Sequence, residues 1–200
     1  MNNQTPIPKS RYKNQRLLLI DYNDSFTFNV VELLRKIGNN ITTVINYEDL
    51  VVTELSEFDK IILSPGPCLP QDYPKTFEVI KQYYKQKPIL GICLGHQAIC
   101  SFFGAELYNF KEVIHGVNQK IILTEKNSLF KGVPNKTEVG LYHSWAVKNA
   151  PNSLKILAIT EGEVIMSIKH IDYPVYGIQF HPESFLTTHG ELIIENFFKL

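Results

Sequence analysis

Three short segments carry residue types that can do chemistry together. The first is Gly91-Ile92-Cys93-Leu94-Gly95-His96-Gln97. An apolar stretch runs straight into helical spacing, with a cysteine at the junction. A side chain on such a strand-to-helix elbow projects into the open at the carboxyl edge of a sheet. The helix N-terminus lowers a thiol's pKa, and the thiolate is the nucleophile. Gly91 and Gly95 permit a tight turn and close backbone packing. The N–H of Leu94 is suited to stabilise an oxyanion. Cys93 taken alone reads equally well as a small buried residue, because free cysteine is often inert.

The second segment is His181-Pro182-Glu183. Residues i and i+2 of an extended segment point the same way. Pro182 drives His181 toward extended geometry and restricts its own φ. A carboxylate at 183 can then orient an imidazole at 181, the base that a thiol nucleophile needs. An isolated His-x-Glu is a weak signal; beside a cysteine elbow it completes a candidate triad. The third segment, Ser64-Pro65-Gly66-Pro67, follows an apolar stretch, so it belongs at the same sheet edge as Cys93. The N–H of Gly66, unshielded by a side chain, is a second candidate oxyanion donor. On its own this would be a plain proline–glycine turn.

The elements that must position these segments are legible in outline. Leu17–Ile20 is a continuous apolar run, as in a strand buried on both faces. Helical spacing follows over Phe26–Ile37, with Val30, Leu33, Leu34 and Ile37 on one side and Gly38 as the stop. Further strands are predicted over Ile41–Ile45, Lys60–Leu63 and Pro88–Ile92, with helices over Pro74–Lys85 and Leu94–Phe103. This alternation predicts an α/β fold with a largely parallel sheet. Asn118–Leu123, Lys155–Thr160, Val164–Lys169 and Val175–Gln179 read as later strands, antiparallel or edge additions. A last helix is expected from about His189 to Phe198.

Taken together, the three segments resemble class I (triad-type) glutamine amidotransferases over essentially Leu17 to Leu200. Asp21-Tyr22-Asn23-Asp24-Ser25-Phe26-Thr27-Phe28-Asn29, Tyr142-His143-Ser144 and Gln179-Phe180-His181-Pro182-Glu183-Ser184 are similar to the chorismate-using subgroup. That subgroup comprises the glutaminase subunits of anthranilate synthase and aminodeoxychorismate synthase. The resemblance implies a flavodoxin-like α/β domain over residues 16–200, behind a flexible tail at residues 1–15. It implies L-glutamine as substrate, Cys93 as nucleophile, His181 as base and Glu183 as its orienter. It places the oxyanion at the N–H groups of Gly66 and Leu94. Glutamine contacts are implied at Gly66, Pro67, Cys68, Gln97, Ser144 and Trp145. Ammonia would pass to a chorismate-binding synthase subunit; this chain shows no chorismate site. No cofactor or metal is implied for this chain, and magnesium would belong to the synthase.

The same resemblance casts His96 as structural support and His143 as part of the glutamine pocket. His115-Gly116 looks like a motif near the partner interface. His170 and His189 are expected in surface or capping roles. Three departures stand out: Tyr22-Asn23 in exchanged order, Val117 where a polar residue often follows His-Gly, and Leu141 where arginine often precedes Tyr-His-Ser. Cys68 stands where many relatives have glycine, and this form favours the p-aminobenzoate branch or a dual-use subunit. The other readings are a stand-alone cysteine hydrolase and a non-catalytic regulatory subunit.

Composition narrows the classes without choosing among them. The chain has 200 residues, with Lys plus Arg 20 and Asp plus Glu 20, hence zero formal charge. That argues against a general nucleic-acid binder or a polybasic membrane anchor. No apolar run approaches the ~18 residues of a membrane span. Three cysteines make no disulfide framework and no zinc motif. Cys100, mid-helix, reads as core. A cytoplasmic protein is expected.

Overall fold

The computed structural model describes residues 15–38 and 41–200. The predicted tail therefore lies outside the described residues, apart from Gln15. Nine strands form one sheet: β1 (Leu17–Asp21), β2 (Thr42–Asn46), β3 (Lys60–Leu63), β4 (Ile89–Ile92), β5 (Leu107–Leu123), β6 (Thr137–Val147), β7 (Leu154–Thr160), β8 (Ile165–His170) and β9 (Val175–Ile178). Among the described residues, four α-helices accompany them: α1 (Phe26–Lys36), α2 (Pro74–Tyr83), α3 (Leu94–Phe102) and α4 (Gly190–Phe198). The strand order is β2-β1-β3-β4-β9-β8-β7-β5-β6. Pairing is parallel from β2 through to β9 and antiparallel from β9 through to β6. The result is one α/β domain on a mixed sheet.

Burial explains the apolar runs. In β1, Leu17 and Leu19 join one apolar cluster while Leu18 and Ile20 join another, because successive side chains point to opposite faces. The first cluster takes in Val30, Leu33 and Leu34 of α1 and Ile193, Ile194 and Phe197 of α4. The second takes in Val79, Ile80 and Tyr83 of α2 and Ala98 and Ile99 of α3. With helices on both faces, the central strands have no polar side to display.

Two expectations are corrected. Val175–Gln179, expected as an antiparallel or edge addition, is antiparallel to β8 but also parallel to β4, so β9 lies inside the sheet and not at its edge. Its four residues are all buried. Strand order in a sheet follows from long-range packing, which sequence position alone does not encode. The second concerns residues 107–117 and 137–147, for which no strand is predicted. They form most of the long β5/β6 pair at the antiparallel edge. An edge pair needs no continuous apolar run, and its pairing is broken by register shifts at Asn109/Ile114 and His115/Val117. Gly116, at φ +68°, sits in the second break. Short 3₁₀ turns at Tyr47–Asp49, Val52–Glu57 and Pro70–Asp72 are also not apparent from periodicity.

Candidate active site

The loops after β1, β3, β4 and β9 all leave the sheet at one carboxyl edge, as parallel pairing requires. They meet around Cys93. This residue caps α3 at φ +52°, ψ −101°, a conformation that L-residues rarely hold. Its backbone N–H donates to the Ile178 carbonyl at 2.9 Å, which ties the elbow to β9. Glycine on either side allows the elbow to sit this low. A Cβ on Gly91 would run into the Gly95 carbonyl, and one on Gly95 into the Leu63 carbonyl. The two glycines therefore serve close packing, and the positive φ falls on the cysteine itself.

Cys93, Leu94 and Gln97 line a cleft of ≈ 500 Å³ together with Gly66, Pro67, Cys68, Ser144 and Trp145. Leu69, Asp72, Asn109, Tyr142 and His143 complete the wall. A cleft of similar size, ≈ 540 Å³, opens beside Phe130 and Val133, but it holds no cysteine, serine or threonine. Leu94 is the first residue of α3, so its N–H has no partner within the helix. No hydrogen bond engages the Gly66 N–H among the described residues. A Cβ on Gly66 would strike Leu94 Cδ2 and lie 2.7 Å from Tyr22 Cβ. Both candidate oxyanion donors thus belong to one packed unit.

His181 and Glu183 stand behind Cys93 rather than on the cleft wall. Their side chains are 2% and 0% exposed. His181 Nδ1 donates to Glu183 Oε1 at 2.6 Å. Phe26 and Tyr142 meet the imidazole with ring centroids 4.7 and 5.0 Å away. Burial alone pushes the imidazole pKa down; the Cys93 sulfur and Glu183 outweigh it and raise it to about 10. The imidazolium is thus the resting form when it faces a thiolate. Nε2 makes no conventional hydrogen bond, and its link to Cys93 is chiefly electrostatic. The loop is anchored to β6, since the His181 N–H donates to the Gly140 carbonyl at 3.1 Å and the Gly140 N–H donates to Thr187 Oγ1 at 3.0 Å.

Gln97 is more constrained than its sequence position suggests. Its Nε2 donates to the Trp145 carbonyl at 2.8 Å and to Gln179 Oε1 at 3.2 Å. Both amide hydrogens are thus engaged, leaving the oxygen for a ligand. His143 Nδ1 donates to the same Trp145 carbonyl at 2.9 Å, which fixes its tautomer. Burial lowers the His143 pKa to about 4, against the Trp145 hydrogen bond. His96 is fully buried off the cleft, and burial lowers its pKa to about 3. Cys100 is fully buried as well, and burial raises its thiol pKa beyond the titratable range. Cys68 is exposed on the cleft wall at φ +64°. His170, buried instead of at the surface, accepts the Asp172 and Tyr173 N–H groups at 3.1 Å each. His189 Nδ1 pairs with Thr137 Oγ1 at 2.6 Å.

Sequence reasoning missed Gln179, whose Nε2 lies 3.7 Å from Cys93 Sγ. The available signal was its place two residues before His181. It also missed Asn109 and Asp72 on the cleft wall; nothing in their local sequence marks them.

The chain belongs to the class I glutamine amidotransferase family, whose model matches residues 18–200. It is a catalytic family. The chain is 43% identical over 183 residues to a Haemophilus influenzae protein provisionally described as anthranilate synthase component II, covering 90% of this chain and 94% of that one. It is 36% identical over 185 residues to the aminodeoxychorismate/anthranilate synthase component 2 of Bacillus subtilis, with the same two coverages. A crystal structure of a Thermoplasma acidophilum protein, provisionally described as a GMP synthase subunit, superposes with TM-score 0.83 at 26% identity, covering 92% of each chain. The chain is thus a glutamine amidotransferase subunit of the anthranilate/aminodeoxychorismate synthase kind. Among the described residues, no helix is long and apolar enough to cross a membrane.

Proposed function

We propose that this chain hydrolyses L-glutamine through a thioester on Cys93 and delivers the ammonia to a chorismate-binding synthase subunit. The observation that carries the reading is the strained Cys93 elbow facing an imidazole that Glu183 holds at 2.6 Å. The Cys93 thiolate attacks the side-chain amide carbon of glutamine. The oxyanion forms against the N–H groups of Gly66 and Leu94. His181, protonated, gives its proton to the departing ammonia, leaving a γ-glutamyl thioester. Neutral His181 then takes a proton from water as it attacks, and glutamate leaves. Gln97 Oε1, with Ser144 and the backbone near Trp145, receives the zwitterionic end of the substrate. This route asks for no metal in this chain. Three free cysteines suit a reducing, cytoplasmic compartment.

Cys68, next to Pro67 on the cleft wall, favours an aminodeoxychorismate product, in the p-aminobenzoate branch. The descriptions of the relatives favour the second reading, anthranilate or dual use. The decisive assay is glutamate release by the purified chain, alone and with a synthase captured from the native cell. Cys93→Ala abolishes release, and hydrolysis that survives it sinks the triad assignment. Capture of one synthase identifies the branch; capture of two shows dual use.

A further inference from the structure

Gln179 follows the last residue of β9 and is fully buried, off the cleft wall. Its backbone N–H donates to the Met166 carbonyl at 2.8 Å, so its position is set by the sheet. The orientation of its amide follows from its neighbours. The Trp145 carbonyl only accepts, so Gln97 must turn its nitrogen that way. The second hydrogen of that nitrogen needs an acceptor, which is Gln179 Oε1. Gln179 is then left with its nitrogen toward Cys93 Sγ at 3.7 Å. A thiol is a poor acceptor for that N–H; a thiolate is a good one.

We propose that Gln179 stabilises the Cys93 thiolate by donating a side-chain N–H to the sulfur, and that Gln97 is the positioning residue that holds Gln179 in this orientation. The inference rests on Cys93 being the nucleophile. The titratable groups around this sulfur are His181 with Glu183 on the segment after β9, Tyr142 and His143 on β6, and Cys68 and Asp72 on the loop after β3. Gln179, unlike these groups, does not titrate. It keeps its N–H on the sulfur whether or not His181 carries a proton. It therefore supports the thiolate both as it attacks glutamine and as it leaves the thioester.

The test is alkylation of the full chain by iodoacetamide over a pH series. Peptide-resolved mass spectrometry separates Cys93 from Cys68 and Cys100. Gln179→Met keeps the bulk and removes the donor. Gln179→Glu keeps the acceptor for Gln97 but removes the donor. Losing a donor to the charged form raises a thiol's pKa. The midpoint of the Cys93 profile is expected to rise by about half a pH unit or more, equivalent to roughly threefold slower alkylation below it. The larger rise is expected for Gln179→Glu. A midpoint that does not move in a folded variant overturns the inference; if Gln179→Met does not fold, Gln179→Glu decides. Loss of hydrolysis in Cys93→Ala with an unmoved midpoint defeats only the role of Gln179. Hydrolysis that persists in Cys93→Ala defeats the nucleophile reading itself.

Discussion

At the scale of single residues, three buried histidines within one site have opposite electrostatics. His181 is paired with the sulfur and Glu183, so its folded pKa lies above the ordinary value. Its contribution to stability is full below about pH 6.5 and is lost as pH rises toward about 10. His96 and His143 have no anionic partner, and burial keeps them neutral down to about 3 and about 4. The unfolded chain takes up protons at these two positions first as pH falls below about 6.5, so each withdraws stability on the acid side. For fully buried His96 this amounts to on the order of 2–3 kcal/mol between neutral pH and pH 4. Urea midpoints at both pH values check it: His96→Gln should flatten the acid slope, whatever it does to stability at neutral pH. A slope equal to the parent's would mean that His96 is protonated in the fold.

At the scale of elements, the site depends on backbone approaching backbone. Gly95 lets α3 rest on β3, and a Cβ there meets the Leu63 carbonyl, which cannot move without breaking the sheet. Gly95→Ala should therefore lower stability by about 1–3 kcal/mol or more, read from the denaturant midpoint. Gly66 is a different case. Its Cβ would meet Leu94 Cδ2, the far end of a flexible side chain, but also Tyr22 Cβ, which is fixed to the backbone of a buried residue. Gly66→Ala should displace an oxyanion donor, lowering kcat for glutamine about tenfold or more, and the contact with Tyr22 should lower the denaturant midpoint as well. A folded variant with the parent's kcat would remove Gly66 from the oxyanion site. The loop after β1 also accounts for a sequence departure. Tyr22 is buried, with its hydroxyl 3.0 Å from Thr76 Oγ1, while Asn23 holds φ +60° and donates its backbone N–H to Asp21 Oδ1 at 3.0 Å. Asparagine tolerates that conformation better than tyrosine, which fits the exchanged order. The other two departures, Val117 and Leu141, face each other across β5 and β6. One is exposed and the other fully buried in the core.

At the scale of the whole molecule, one sheet spans both halves of the chain. β9 joins the parallel strands to the antiparallel ones, and β4 pairs directly with it. The sheet offers no boundary along which the halves could separate. Heating should therefore produce one transition. The single tryptophan, Trp145, reports on β6 at the antiparallel edge, while far-ultraviolet circular dichroism reports on all elements. The two melting curves should coincide. An earlier fluorescence transition would show that the β5/β6 edge unfolds by itself.

The chain's local chemistry was legible from residue types alone. The elbow at Cys93 was marked by its glycines, His181 and Glu183 by their spacing, and the central strands by unbroken apolar runs, because each of these is a short-range requirement of backbone geometry or burial. The β5/β6 pair was not, since edge strands tolerate polar residues and carry no period of their own. Nor was the amide of Gln179, whose role is defined by Gln97 and Trp145, both distant in sequence. The sequence by itself determined which groups can react. Only the tertiary structure decided that they meet, because β9 enters the sheet beside β4 through pairings between residues 86 positions apart, as at Ile89 and Val175 or Cys93 and Gln179. No local pattern specifies such a pairing; the burial of two apolar faces at once does.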